Sequence, residues 1–411
     1  MPQWSDYSTG ERIKILRGRE IRQADLAEMT GLSIVTIQKA EQDKALSLPT
    51  LLAIADALSV DTSVILGQQA PRRAMDQGDR MMIRDLSRAV HDTAAGILPA
   101  DAEAVALEDL EATTDRCWDL YWKGRYIEAG AVIAPFLAAA AARLHEQPAG
   151  EQAPALGVLS DAYRLAGYVA NLMGARDLAY AAIGHAQSVA ERAADDMRVA
   201  LVGSGRAWVY LRDARLPEAL TLAERSAADI EPRFSRATPE ELTAYGSHVN
   251  FAAVVASRMG DKDRAADFLS QSHATGARMG REVRAHGTLF GPVSATTQAV
   301  GINVALGQTG KALALIDSIP DVSSLTEAAR NRYAMDKAMA HADAKQWDAS
   351  LDTLEETLRR SPDWARHQTL PGVIVQKVGR ASTARLRRVS ELIGVAPGVQ
   401  GFLPATRKTA L

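Results

Sequence analysis

Gly307, Gln308, Thr309, Gly310, Lys311 and Ala312 come nearest to a phosphate-binding loop, where glycine-rich backbone cradles phosphates, a lysine reaches them and a Ser or Thr hydroxyl holds magnesium. The first glycine of that motif would fall at position 305, which is Ala305, and Ala312 stands where the hydroxyl is needed. The segment reads better as a turn between helices. The eight histidines, at 91, 145, 185, 248, 273, 286, 341 and 367, form no His-Glu-x-x-His or other tight ligand spacing, so no metal centre is expected. Cys117 lies in an apolar run before Trp118 and reads as a small buried hydrophobe rather than a nucleophile. With no catalytic constellation in the chain, the expectation is a protein that is not an enzyme and takes no cofactor.

The elements that position the remaining polar residues follow from composition and period. The chain has 411 residues, enough for two or three domains, with 47% hydrophobic but only 5% aromatic residues. Alanine runs such as 138–142 and scarce β-branched alternation point to an all-α protein. A single cysteine excludes an internal disulfide and multi-cysteine zinc sites, and suits a reducing, cytoplasmic compartment. Residues 1–6 lack the basic-then-apolar profile of a signal peptide. The longest apolar run, 129–142, is too short to span a bilayer and contains Pro135, so no membrane partner is expected. The 47 Lys and Arg against 50 Asp and Glu give a net charge of −3, so any nucleic-acid binding must come from a local motif.

In the first 67 residues the apolar positions fall at helical spacing in short blocks, predicting five helices. The first covers 9–17 with Ile13 and Leu16 inward, and the second starts near Gln23 and carries Leu26, Ala27 and Met29. Gly31 supplies a turn, and Ser33 caps a third helix by accepting a bond from a first-turn amide. A fourth begins after Ser47, with Pro49 in its first turn and Leu51, Ile54, Ala55 and Leu58 buried, and a short fifth covers 64–66.

The stretch 22–41, with its Gln-x-x-Leu-Ala, Gly-Leu-Ser and Thr-Ile-x-x-x-Glu pieces, resembles the lambda-repressor-like (Cro-type, XRE) helix-turn-helix family, and Leu51-x-x-Ile54-Ala55-x-x-Leu58 matches the helix behind them. In that family the second helix of the motif lies in the major groove of double-stranded DNA while the first crosses the backbone. The resemblance therefore implies an operator-facing surface of Ser33, Ile34, Val35, Thr36, Gln38 and Lys39, with Gln23 contacting backbone or base nearby. Gln38 has the amide to read adenine and Thr36 a hydroxyl to hydrogen-bond, while Ile34 and Val35 either meet a thymine methyl or pack locally. Lys39, Arg17, Arg19 and Lys44 would supply phosphate contacts. Ile37 and Leu32 belong to the core by period, and Glu41 reads as a partner for a basic residue on the first or second helix. Seven basic against nine acidic residues in 1–67 make one copy electrostatically weak, which favours a homodimer on paired half-sites.

The chain divides as 1–67, the helix-turn-helix domain; 68–100, a linker and connecting helix with Arg72, Arg73, Arg80, Arg84 and Arg88 on a solvated face; 101–362, helical repeats; and 363–411, a capping helix and basic tail. The repeats show a small or polar turn residue followed five positions later by Ala or Ser. The turns are Gly124, Gly174, Ala214, Gly260, Gly307 and Lys345, at intervals of 50, 40, 46, 47 and 38 residues. That spacing suits antiparallel helix pairs stacked in a solenoid. The pieces 124–129 and 345–350, with Ser361 and Pro362, resemble tetratricopeptide (TPR) turns, though the intervals exceed the usual length.

Projecting the TPR pattern directs Trp118, Tyr121 and Trp122, then Arg164, Tyr168 and Asn171, then Ser204, Trp208 and Arg212, then Asn250 and Ser257 toward a concave groove, although aromatics at helical spacing also read as inter-helix core. There Arg164, Tyr168, Asn171, Trp208 and Asn250 are the candidate ligand contacts, the asparagines for a peptide backbone and the arginine for a terminal carboxylate. In the tail, 383–393 reads as a helix with Leu386, Val389 and Leu392 inward. The order of parts is similar to peptide-pheromone-sensing (RRNPP-type) and actinobacterial XRE-TPR regulators. It implies a DNA-binding transcription regulator whose solenoid dimerises and senses a signalling peptide or small molecule. The other reading is a scaffold controlled by a partner protein, with the helix-turn-helix as tether.

Overall fold

Short caps start the N-terminal helices in the computed structural model. The structure describes residues 7–18, 21–44, 46–58, 60, 62–67, 77–100, 102–146 and 150–379, with Trp4 and residues 386, 388, 389 and 392. The expected linker 68–76, Arg19, Arg72, Arg73, and the tail positions Arg380, Arg385, Arg387, Arg407 and Lys408 lie outside the described residues. Helix α1 (Thr9–Arg17) opens with a capping box, Glu11 N donating to Ser8 Oγ and Ser8 N donating to Glu11 Oε2. Helix α2 (Gln23–Thr30) ends at Gly31 in the left-handed conformation. Ser33 caps α3 (Ile34–Glu41) and Ser47 caps α4 (Leu48–Ala57), each accepting from the amide three residues on. Helix α5 (Thr62–Leu66) begins two residues earlier than its apolar spacing predicts. Ile13, Leu26, Ile37, Leu51, Ile54 and Ile65 close a core with no exposed surface.

Helix α6 (Gln77–Ala94) carries Met82, Leu86 and Val90 on one stripe and packs it on α8, leaving Arg80, Arg84 and Arg88 exposed. Six antiparallel pairs follow among the described residues. They are α7 (Leu107–Trp122) with α8 (Tyr126–Glu146), α9 (Gln152–Leu172) with α10 (Arg176–Arg192), α11 (Asp196–Arg212) with α12 (Leu216–Asp229), α13 (Pro239–Met259) with α14 (Lys262–Met279), α15 (Pro292–Ala305) with α16 (Thr309–Ser318), and α17 (Glu327–Asp343) with α18 (Trp347–Arg360).

The six turn residues share one backbone conformation, with φ of 75, 72, 59, 78, 69 and 61° at Gly124, Gly174, Ala214, Gly260, Gly307 and Lys345. Five residues after each, Ala129, Ala179, Ala219, Ala265, Ala312 and Ser350 have no exposed surface, so each second helix lies close against its neighbours. The protein is thus all-α: a five-helix head followed by a helical solenoid, interrupted only by the hairpin β1 (Val283–Ala285) and β2 (Thr288–Phe290) among the described residues. Helix α8 is long and apolar enough by composition to cross a membrane; it packs on α6, α7 and α9.

The solenoid curls until its end meets its beginning. Helix α17 reaches α7, and beyond α18 the short α19 (Pro362–Arg366) sets Trp364 against the first turn, where a side chain on Gly124 would come within 2.5 Å of it. The Tyr126 and His367 rings meet with centroids 5.5 Å apart. Helix α20 (Leu370–Val378) caps α17 and α18 with Val373, Ile374 and Val378 buried. Of the helix expected at 383–393, Leu386 and Val389 are buried; its other residues, apart from 388 and 392, lie outside the described residues.

Candidate nucleic-acid interface and solenoid cavity

Glu41 organises the head. Its carboxylate is buried at the end of α3 and accepts from Arg17 Nε at 2.7 Å and Gln23 Nε2 at 2.6 Å, tying α1 and α2 to α3. Arg17 also donates to the carbonyls of Gly18 and Ile21. Arg17 and Gln23, both anticipated at the DNA, therefore spend their donors inside the domain. The reason is that the Glu41 carboxylate, taken out of water, needs hydrogen-bond donors, and these two side chains supply them.

Spacing also hid Arg12. It has no exposed surface, donates to the carbonyls of Trp4 and Ile65, and has its pKa lowered to about 10 by burial. A side chain on Gly67 would collide with its guanidinium.

At the surface of α3, Ser33, Ile34, Val35 and Lys39 are exposed and Thr36 and Gln38 half-buried, while Ile37 is wholly buried. Ser33 Oγ and Thr36 Oγ1 share a hydrogen bond of 2.8 Å, which fixes both hydroxyls at the start of the helix. Ile34 and Val35 do not fold back into the core. Lys44 is exposed too, but it lines a cavity facing the solenoid. Met29 of the second helix is exposed, because the buried stripe of α2 is carried by Leu26 and Ala27.

A family model of the Cro/C1-type HTH DNA-binding domain matches residues 13–67, the stretch that runs from within α1 to the end of α5. No curated protein and no solved structure matches the chain. The chain therefore carries an XRE-like helix-turn-helix domain of the DNA-binding regulator type, placed ahead of a long helical array.

Inside the array, the first helices of the pairs converge on a cavity of about 350 Å³, lined in part by Tyr121, Tyr168, Ser204, Trp208 and Asn250. Its aromatic wall is continuous: Trp118 packs edge-on to Tyr168, and Tyr168 in turn meets Trp208 with centroids 5.2 Å apart. Burial raises the phenol pKa of Tyr121 and Tyr168. The β hairpin closes one side of this space, with Phe290 packed where Gly246 leaves room and the turn at Gly287 pressed on the Trp118 ring.

Two anticipated ligand contacts lie elsewhere. Arg164 is buried, donates to the hairpin carbonyl of His286 at 2.7 Å, pairs with Asp161 and stacks over Trp118. Asn171 is wholly buried, its amide atoms have no hydrogen-bond partner, and it lines neither cavity. Tyr168, Trp208 and Asn250 face the cavity, and Asn250 Oδ1 accepts from Ser272 Oγ at 3.2 Å. Cys117 is buried and its thiol is pushed up to about 12, as far from a reactive thiolate as a small core residue should be.

A second cavity, of about 870 Å³, lies between the head and the open side of the solenoid. Thr9, Leu48, Leu52 and Thr62 line it from the head, and Arg212, Arg258 and Met335 from the solenoid. Trp208, Phe251 and Arg332 line both cavities, so the two adjoin. Thr62 and Thr369 share a hydrogen bond across this boundary. No sequence signal pointed to it, because it depends on how the head sits on the array.

Proposed function

We propose that the protein is a cytoplasmic, sequence-specific transcription regulator: α3 enters the major groove of an operator, and the solenoid dimerises and senses a ligand. The carrying observation is the polar and apolar face of Ser33, Ile34, Val35, Thr36, Gln38 and Lys39 that α3 leaves uncovered on a Cro/C1-type domain. With Arg17 and Gln23 engaged by Glu41, that face and the exposed Lys39 carry the base and phosphate contacts. The acidic balance of residues 1–67 favours two copies on paired half-sites. The TPR-like array serves as the sensor because its concave side is walled into cavities of small-molecule size. That size favours a small molecule over an extended peptide or a partner protein. Nothing in this reading calls for catalysis.

Chromatin immunoprecipitation yields the operator, and gel shifts on it test the assignment. A side chain that hydrogen-bonds a base edge discriminates by about 1–3 kcal/mol, so Q38A with K39A should lower operator affinity about tenfold or more while the thermal melt is unchanged. Unaltered operator affinity in the folded double variant would refute the role of α3.

A further inference from the structure

Three arginines from three different helices, Arg212 of α11, Arg258 of α13 and Arg332 of α17, line the cavity between head and solenoid. The acids around them are already committed. Asp43 accepts from Ser8 Oγ at 2.6 Å and Gly10 N at 2.7 Å, and Asp343 is ion-paired with Lys377. Asp336 remains, buried on α17 and 3.5 Å from Arg332 Nε. It fits there because α15 has Gly301 opposite, where a side chain would come within 2.5 Å of Asp336 Oδ2. Arg212 has partners within the protein.

Arg212 aside, Asp336 stands beside both Arg258 and Arg332, one carboxylate for two guanidinium groups, which leaves this part of the cavity short of negative charge. Arg258 registers the deficit: its pKa is lowered to about 10, first by burial and then by the charges of Arg332 and Arg212, against the opposing pull of Asp336. Like charges gathered in a partly desolvated cavity are costly unless an anion joins them. Guanidinium forks suit carboxylate, phosphate or sulfonate oxygens in pairs. The rest of the wall is mixed: Trp208, Leu211, Phe251, Val254 and Met339 give it apolar stretches among polar residues such as Ser257, Gln298 and Thr369, and the volume is that of a small-molecule site.

We propose that this cavity binds an amphipathic organic anion, its acidic head on Arg212, Arg258 and Arg332 and its apolar body against Trp208, Phe251 and the head domain's Leu48 and Leu52. Because the two walls belong to the DNA-binding head and the solenoid, an occupant touches both and biases how the head is held. This deepens the sensing role proposed above and rests on it for its purpose.

The test is a fluorescence titration of the full-length protein with 8-anilinonaphthalene-1-sulfonate, beside the neutral N-phenyl-1-naphthylamine, which has the same apolar body without the acid. The sulfonate should bind at least tenfold more tightly than the neutral dye. R258M with R332M should weaken the sulfonate at least tenfold and leave the neutral dye unchanged, with circular dichroism reporting the fold. Should that variant not fold, Leu48→Trp, which narrows the cavity where the dye's apolar body is placed, should weaken the sulfonate dye at least tenfold. Octanoate or octyl phosphate should displace the bound dye, the effective one naming the head group, and 1-octanol should not. Equal binding of the two dyes, displacement by octanol as readily as by the anions, or sulfonate binding retained in the folded arginine variant or in Leu48→Trp would overturn the proposal. No DNA is present, so failure here and failure of operator recognition are separate results.

Discussion

A carboxylate 2% exposed is tolerated at Glu41 because two donors from other helices reach it, and this small network ties α3 to α1 and α2. Removing one member of a buried pair leaves the other uncompensated and costs about 3–5 kcal/mol, more than the pair itself contributes. E41A should therefore lower the stability of the head by about 3 kcal/mol, read from the urea unfolding midpoint, and weaken operator binding through misorientation although the DNA-facing side chains are all still present. E41Q, which keeps an acceptor, should recover part of the stability. A midpoint unchanged in E41A would show that the network is idle. The composition of this site was legible in the sequence, and so was Glu41's tie to a basic residue. The recruitment of Gln23 and Arg17 away from the DNA was not, since bonds spanning 18 and 24 residues leave no mark in local spacing.

Helix boundaries were legible for a physical reason: caps and left-handed turns are local, so Ser33, Ser47 and Gly31 announce them within a few residues. The same locality exposed the solenoid, because each pair needs one residue at positive φ and one small side chain five positions on. Ala214 and Lys345 meet the first demand with φ of 59 and 61°, where a Cβ is strained and glycine is not. A214G and K345G should each stabilise the array by about 0.5–1 kcal/mol, measured as a higher thermal midpoint. The second demand has the opposite sign: Ala219 has no exposed surface, and A219L should cost about 1–3 kcal/mol from overpacking. A lower midpoint for both glycine variants would mean that the turns are not strained. The hairpin 283–290 escaped the same reading because strands of three residues are too short to show alternation.

At the scale of the whole molecule, closure depends on curvature summed over six pairs, and no local pattern encodes it. The packed array holds a histidine in its interior. His248 is 1% exposed and bridges α13 and α11, with Nδ1 2.7 Å from Ala244 O and Nε2 3.1 Å from Ala200 O. Burial lowers its pKa below the ordinary 6.5 despite those carbonyls, and partial desolvation lowers His185, His273 and His286, which lie nearer the surface. The folded state thus takes up protons at these rings less readily than the unfolded chain, which does so once the pH falls below 6.5. The stability they lend is complete above that value and is lost as acid is added, with a limit of about 1.4 kcal/mol per pH unit for each ring. The thermal midpoint should consequently fall between pH 7.5 and 5.5. Asp336, whose pKa burial raises, works in the other direction, but its effect is common to wild type and variant and cancels in their difference. H248Q keeps one hydrogen-bond donor for the bridge and removes the titration, so its midpoint should fall less steeply over the same range. Equal slopes for the two proteins would mean that His248 does not couple protonation to folding.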